Sequence, residues 1–362
     1  VTENVAQTVI DVLKEPAEML NLTASDWNDC LLLCNMLSLT GRLADDAKRL
    51  KLWDQLPTTV QQIFESAHLT AKARQRQIIW EINRVRRAFH GSGLDIVVLK
   101  GGAYIQKDLK ASSGRMSSDL DILFAKKDLD QAEKMLLVAG WEYQALNDYD
   151  EHYYREWAHE LPPLMHPDRG VSLDVHHTIL PVTSRLKPDI NKILEGIEKT
   201  QENIFVFSAV DMFLHSVIHQ FHDGEVSGSF RNLLEQYDMF LEFSEDKEFV
   251  VNLQNRAREL GLERPLYYSL KTIEKFFGLD LPEGLQVFLE RIQPNIFSRQ
   301  MMHGMIARTM MPGWRKTSGI GLWLSRRILY YRSHWLRMPL SILIKHFVVK
   351  SLRSMKGEGK KA

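Results

Sequence analysis

Apolar residues recur at three- and four-residue intervals over residues 5–20, 25–39, 43–50 and 58–89, which predicts four helices at the front of the chain. Ser25 and Asp26 are placed to cap the second. The pattern changes after Gly91-Ser92-Gly93. Ile96-Val97-Val98-Leu99 reads as a buried strand, residues 103–110 as a short helix, and residues 119–124 as a second strand. Residues 127–139 return to helix, which Gly140 ends, and residues 141–144 extend again. Residues 158–166 and 171–177 flank Pro167-Asp168-Arg169-Gly170, a turn sequence that favours an antiparallel hairpin. From Asp189 onward helices dominate, over residues 210–222, 228–243, 247–260 and 265–277. This order predicts an α+β fold, a small mixed sheet embedded between N-terminal and C-terminal helical regions. The expected divisions are 1–93 helical, 94–185 sheet-bearing core, 186–313 helical, and 314–362 a basic amphipathic segment.

Composition narrows the class. The 362 residues are 44% hydrophobic, enough to bury a core without covalent staples. Cys30 and Cys34 stand one helical turn apart in an apolar run with no further cysteine to complete a metal site, so they read as buried reduced thiols. No signal-peptide pattern opens the sequence, and no apolar run reaches the roughly 20 residues needed to span a bilayer. A cytoplasmic location is expected, with peripheral association with a membrane as a variant of it. The formal charge is zero but unevenly placed: residues 314–362 hold twelve Lys and Arg against the single Glu358.

The chemistry concentrates between Ile96 and His176. Gly101 and Gly102 lie between a strand and a helix, where absent side chains let backbone amides approach an anion such as a nucleotide phosphate. Side chains alternate along a strand, so Asp119 and Asp121 should project together while Leu120 and Ile122 face the core. Two adjacent carboxylates repel unless a cation lies between them, and Mg2+ accepts such oxygen ligands together with substrate phosphates. Asp174, in Ser172-Leu173-Asp174-Val175-His176, stands in another expected strand and is the natural third ligand. A carboxylate there is also placed to accept the proton of an attacking hydroxyl.

The segments Leu99-Lys100-Gly101-Gly102, Gly114-Arg115-Met116-Ser117-Ser118-Asp119-Leu120-Asp121 and Asp174-Val175-His176 together resemble the DNA polymerase beta type nucleotidyltransferase superfamily. Within it, they are most similar to a poorly characterised bacterial nucleotidyltransferase family with helical flanks. The resemblance implies an enzyme that moves a nucleoside monophosphate from an NTP, such as ATP, to a hydroxyl or phosphate acceptor and releases pyrophosphate. Asp119, Asp121 and Asp174 would be the metal ligands and catalytic carboxylates. Mg2+, as two ions, is the implied cofactor, with Mn2+ as the alternative. Two features depart from the superfamily pattern. Ala103 stands where a phosphate-touching serine often follows the glycines, and sixteen residues separate Gly102 from Asp119. Lys100, Arg115, Ser117 and Ser118 are therefore the candidates for the remaining phosphate contacts, Arg115 first because guanidinium forms a planar fork on phosphate. His176 should point the same way as Asp174 and joins them as a nucleotide contact, whereas His177 should face the core.

Two further features stand outside that set. His215, His219 and His222, with Asp223 adjacent, are spaced to share one helical face, a geometry that admits a metal, a place lining the cleft, or packing against the sheet. His152, His159 and His166 have no spacing that argues for chemistry. Toward the C-terminus, aromatic and aliphatic residues alternate with Arg326, Arg327, Arg332, Arg337, Lys345 and Lys350, a pattern that suits an anionic membrane surface, RNA phosphates, or packing on the acidic remainder of the chain. Residues 356–362 are expected to be disordered. The acceptor stays open among protein, peptide, metabolite and RNA. A toxin-like tRNA-modifying nucleotidyltransferase and a noncatalytic nucleotide-binding or scaffold protein are the rival readings.

Overall fold

The computed structural model describes residues 3–223, 226–311 and 319–345; the disorder expected of residues 356–362 concerns positions outside these. Seven strands form one mixed sheet: β1 Ile96–Val98, β2 Asp119–Leu123, β3 Glu142–Tyr143, β4 Leu164–Met165, β5 Ser172–His176, β6 Glu198–Gln201 and β7 Ile204–Val206, in the order β3-β4-β5-β2-β1-β7-β6. β2 is central, antiparallel to β1 and parallel to β5, with Leu120, Ile122 and Leu123 buried. The expected hairpin is present as β4 paired antiparallel to β5.

The sheet also reaches further along the chain than the helical pattern after Asp189 predicts. β6 and β7 close its far edge as an antiparallel pair. β6 reads Glu-Lys-Thr-Gln, with neither alternation nor apolar residues, so only its backbone pairing marks it as a strand. Helix Asp148–Glu156 is likewise absent from the sequence pattern, since its residues are almost wholly polar and aromatic.

The front helices run over Glu3–Lys14, Ala24–Met36, Thr40–Arg49 and Thr58–Ala88. Thr23, not Ser25, caps the second: its side chain accepts from the Asp26 amide and Asp26 reaches back to the Thr23 backbone. This reciprocal box satisfies two end amides at once, which a cap at Ser25 could not do. The 31-residue helix Thr58–Ala88 lies on the sheet. Its Glu81 is fully buried, takes a hydrogen bond from Trp141 Nε1 at 3.0 Å, and is paired to Arg169 Nε at 3.0 Å. Arg169 belongs to the β4–β5 turn and stacks 4.4 Å over the Trp141 ring, so one carboxylate fastens the helix to that hairpin.

A second buried network joins the front helices to the rear ones. Arg42 donates from Nε to Asp46 at 2.7 Å and forks onto Asp238 of helix Phe230–Phe243, with Nη2 3.1 Å from Oδ1. Gly41, beside Arg42, packs backbone to backbone on Gly114, where an added Cβ would stand 2.4 Å from the carbonyl oxygen. The loop that leads into β2 is thereby pinned from below. The helical regions on either side of the sheet share a continuous buried core with it.

Candidate active site

The centre of the site is the face shared by β2 and β5. Asp121 stands opposite Asp174 in register, and Asp119 opposite Ser172, so alternation brings Asp119, Asp121, Ser172, Asp174 and His176 to one side. Leu120, Ile122, Leu173 and Val175 fill the other side as core. The three expected carboxylates therefore share one face of the sheet, although their oxygens do not all lie within 4.8 Å of one another.

Asp121 is buried and fully engaged. Lys100 Nζ lies 2.6 Å and His176 Nε2 3.0 Å from its Oδ1. Burial alone would raise this carboxyl, but the Lys100 ammonium and the His176 hydrogen bond outweigh it and hold Asp121 far below the usual carboxylate range. Burial pulls Lys100 down, yet Asp121 beside it raises it above its ordinary value. Lys100 opens helix Lys100–Gln106 with φ of +45°, a left-handed conformation that a lysine adopts only when its surroundings fix it. Asp174 lacks such a cation. Burial, then Asp121 and Glu160 nearby, push it up to about 7.

Glu160 is the residue that sequence spacing missed. It forms an isolated antiparallel bridge with His176, flanked by the Leu161 amide donating to Val175 at 2.8 Å and the His177 amide donating to His159 at 2.9 Å. This backbone pairing sets Glu160 Oε2 3.3 Å from His176 Nε2 and 3.9 Å from His159 Nε2. Ligand atoms of His159, Glu160 and His176 lie within 4.8 Å of one another, the one group of three metal-competent side chains found among the described residues. His159, read from spacing as chemically silent, is thus part of the site. Burial, with His176 and Lys100 close, holds its imidazole well below the ordinary histidine value. The only sequence signal for Glu160 is its place in the extended stretch 158–166, set opposite residues 171–177.

The glycine pair is explained by close approach from the side. A Cβ at Gly101 would stand 2.6 Å from Arg115 Nε and 2.8 Å from Ser117 Oγ; at Gly102 it would stand 2.7 Å from Val98 Cγ1 and 3.0 Å from Leu120 Cδ1. Gly102 seats the helix on the sheet, and Gly101 makes room for Arg115. Arg115 donates from Nε to Ser117 Oγ at 3.0 Å and pairs with Glu235 through Nη1. Arg231 Nε lies 3.4 Å from the same Glu235 carboxylate, and both guanidiniums act electrostatically on Asp119. Ser117 is buried under Arg115, while Ser118 is exposed just before β2. Arg231 and Glu235 come from more than a hundred residues downstream, which no local pattern links to the loop.

The three histidines of the rear helix do not share a face. Helix Ala209–Ile218 continues as a π-helical turn, His219–Asp223, whose wider winding changes the phase between His219 and His222. His215 and His219 face Lys100, Asp121 and His176; burial and the Lys100 charge hold His215 well below its ordinary value and lower His219 to about 3. His222 turns instead to Ser184 Oγ, 2.9 Å from Nε2, and is held at about 4 by burial and by Arg332 and Arg337. His177 is buried, as its alternation requires.

This arrangement of a carboxylate-bearing sheet face and helical flanks agrees with one known family. A family model described as uncharacterised nucleotidyltransferase matches residues 23–278. The chain belongs to that nucleotidyltransferase family. The match covers the sheet, the carboxylates, Lys100, Arg115 and the histidine helix, and ends before the last two long helices. No curated protein and no solved structure shows a match to the chain.

Proposed function

We propose that this nucleotidyltransferase moves a nucleoside monophosphate from an NTP to an acceptor hydroxyl or phosphate with release of pyrophosphate, at the face formed by Asp119, Asp121 and Asp174. The observation that carries the reading is the register of Asp121 against Asp174 on adjacent parallel strands, which aims two carboxylates of distant sequence at one point. The donor set fits a divalent cation: carboxylates on one strand face, with Asp174 pushed up by burial and by the neighbouring acids, suit Mg2+ or Mn2+. Asp119, Asp121 and Asp174 would hold the metal, with Glu160 close enough to join them. Such ions, when bound, supply positive charge to the triphosphate and its leaving group.

The protein's own groups account for the remaining needs. We assign the acceptor hydroxyl proton to Asp174, whose carboxylate shares the face of Asp119 and Asp121 and would stand beside the acceptor there. The acceptor oxygen then bonds to the α-phosphorus as the bond to the β-phosphate oxygen breaks. Arg115 and Arg231, gathered by Glu235 beside Asp119, are the phosphate-binding pair, with Lys100, the Gly101-Gly102 backbone and the exposed Ser118 at the rim. Ser117 positions Arg115, and His176 positions Asp121 from below, so each serves the nucleotide through its partner.

The test is transfer of α-labelled NTPs to total protein, small RNA and metabolite pools. The expected result is Mg2+-dependent labelling of one pool that falls by about a thousandfold in Asp119→Ala, within the range of lost acid–base or metal assistance. Absence of transfer with every NTP, together with nucleotide binding unchanged in the Asp119→Ala, Asp121→Ala double variant, would sink the enzyme reading in favour of a nucleotide-binding scaffold.

A further inference from the structure

Beyond the matched region, helix Gly319–Arg337 is amphipathic the wrong way round. Ser325, Leu329 and Ser333, four residues apart, form its buried face together with His334. Ile320, Trp323, Leu324, Arg327 and Tyr331 occupy the opposite face at helical spacing and are exposed. The large apolar side chains thus point outward, while two of the three residues in the middle of the inner face are serines. Ile320 is 79% and Trp323 58% exposed, values that packing among the described residues does not explain.

The outward apolar face continues across the neighbouring helix, Ile296–Thr309, where Phe297 is 73% and Ile296 63% exposed. A groove of about 680 Å³ runs between the two helices, with Phe297, Met301, Leu324 and Ile328 among its walls and Arg308 at one end. The exposed apolar residues are therefore contiguous. Charge follows the same boundary: residues 291–357 contain thirteen Lys and Arg and no Asp or Glu at all. Arg308, Arg326 and Arg327 are exposed on these helices, and the Arg327 guanidinium lies 5.7 Å over the Trp323 ring. None of the described helices is long and apolar enough to cross a membrane.

We infer that this helical pair docks on an anionic lipid bilayer, with Ile296, Phe297, Ile320, Trp323 and Leu324 entering the headgroup–acyl boundary and the arginines meeting the lipid phosphates. An acid-free basic surface complements anionic headgroups, and basic residues near such a surface add attraction that salt weakens. The apolar residues choose between anionic partners. RNA is gripped by cations and aromatic faces, on which exposed isoleucines and leucines gain nothing, whereas a bilayer rewards burial of each of them. The inference stands independently of the transfer reaction.

Co-sedimentation of the full chain with phosphatidylcholine vesicles and with phosphatidylcholine–phosphatidylglycerol vesicles tests it. The expected result is binding to the anionic vesicles only, weakened by salt, and reduced by about tenfold or more in a Phe297→Ser, Trp323→Ser variant whose melting temperature is unchanged. An Arg326→Ala, Arg327→Ala variant should lose the preference for phosphatidylglycerol. Three results would overturn the proposal: no pelleting with anionic vesicles; equal pelleting of wild type and the Phe297, Trp323 variant; or retention on small RNA, or a dimer in solution, without vesicle binding.

Discussion

The sheet face around Asp121 and the outer face of helix Gly319–Arg337 treat polar and apolar groups in opposite ways. The first buries Asp121 and His176 beside the half-buried Lys100, where apolar residues would be cheaper, and joins Lys100 and His176 through the Asp121 carboxylate. The second exposes Ile320 and Trp323 and buries Ser325 and Ser333. Both depart from what folding alone favours, the first by gathering acids around a single ammonium, the second by setting cations and apolar side chains outward without acids. The difference teaches that the inner face settles Asp121 within the chain but leaves Asp174 without a cation, whereas the outer face leaves both its charge and its apolar area open. The matched family segment, residues 23–278, contains the one and excludes the other.

The comparison is broken most severely by Asp121→Ala. It leaves the buried Lys100 and His176 without their shared carboxylate, and unfolding in urea should show a loss of about 3–5 kcal/mol. A loss below 1 kcal/mol would mean that the inner charges are solvated and the contrast is false. Next comes pH. The folded Asp174 sits at about 7, above the ordinary carboxyl value of 3.8, so the folded state binds its proton more tightly than the unfolded one. The stability this confers is fully present below the unfolded value and is lost as pH rises through about 7. Between about pH 5 and pH 8 that is worth on the order of 2–3 kcal/mol, and it should vanish in Asp174→Asn. Mg2+ at pH 8 should raise the melting temperature of the wild type and leave Asp174→Asn little changed, because a cation answers only an ionised carboxylate. The smallest effect belongs to the outer face. Phe297→Ser and Trp323→Ser should each alter folding stability by no more than about 0.5 kcal/mol, as calorimetry would show, although equivalent changes in the core cost several times as much.

Legibility in the sequence followed the range of the interactions. β1, β2 and the shared direction of Asp119 and Asp121 could be read because apolar pattern is local and strands report it within five residues, whereas the parallel pairing that sets Asp174 beside Asp121 is not local. Glu160 and His159 could not, since a single backbone bridge in an irregular stretch brings them to His176. The partners of Arg115 come from helix Phe230–Phe243, and nothing near Arg115 announces Glu235. His215 and His219 were placed together by an i, i+4 count that holds, while the i, i+3 step to His222 failed because the turn between them is π-helical. The glycines at 101 and 102 were legible as a tight place, but the cause of the tightness, side chains of Arg115, Val98 and Leu120, lies outside any local pattern.

The contact between Lys100 Nζ and Asp121 Oδ1 also sets the terms on which ligands arrive. A cation that takes Asp121 must displace the ammonium, and an anion that draws the ammonium away removes that cost. On the proposed reading each would then raise the affinity of the other by the same factor, so that metal and nucleotide phosphate would ease one another's arrival.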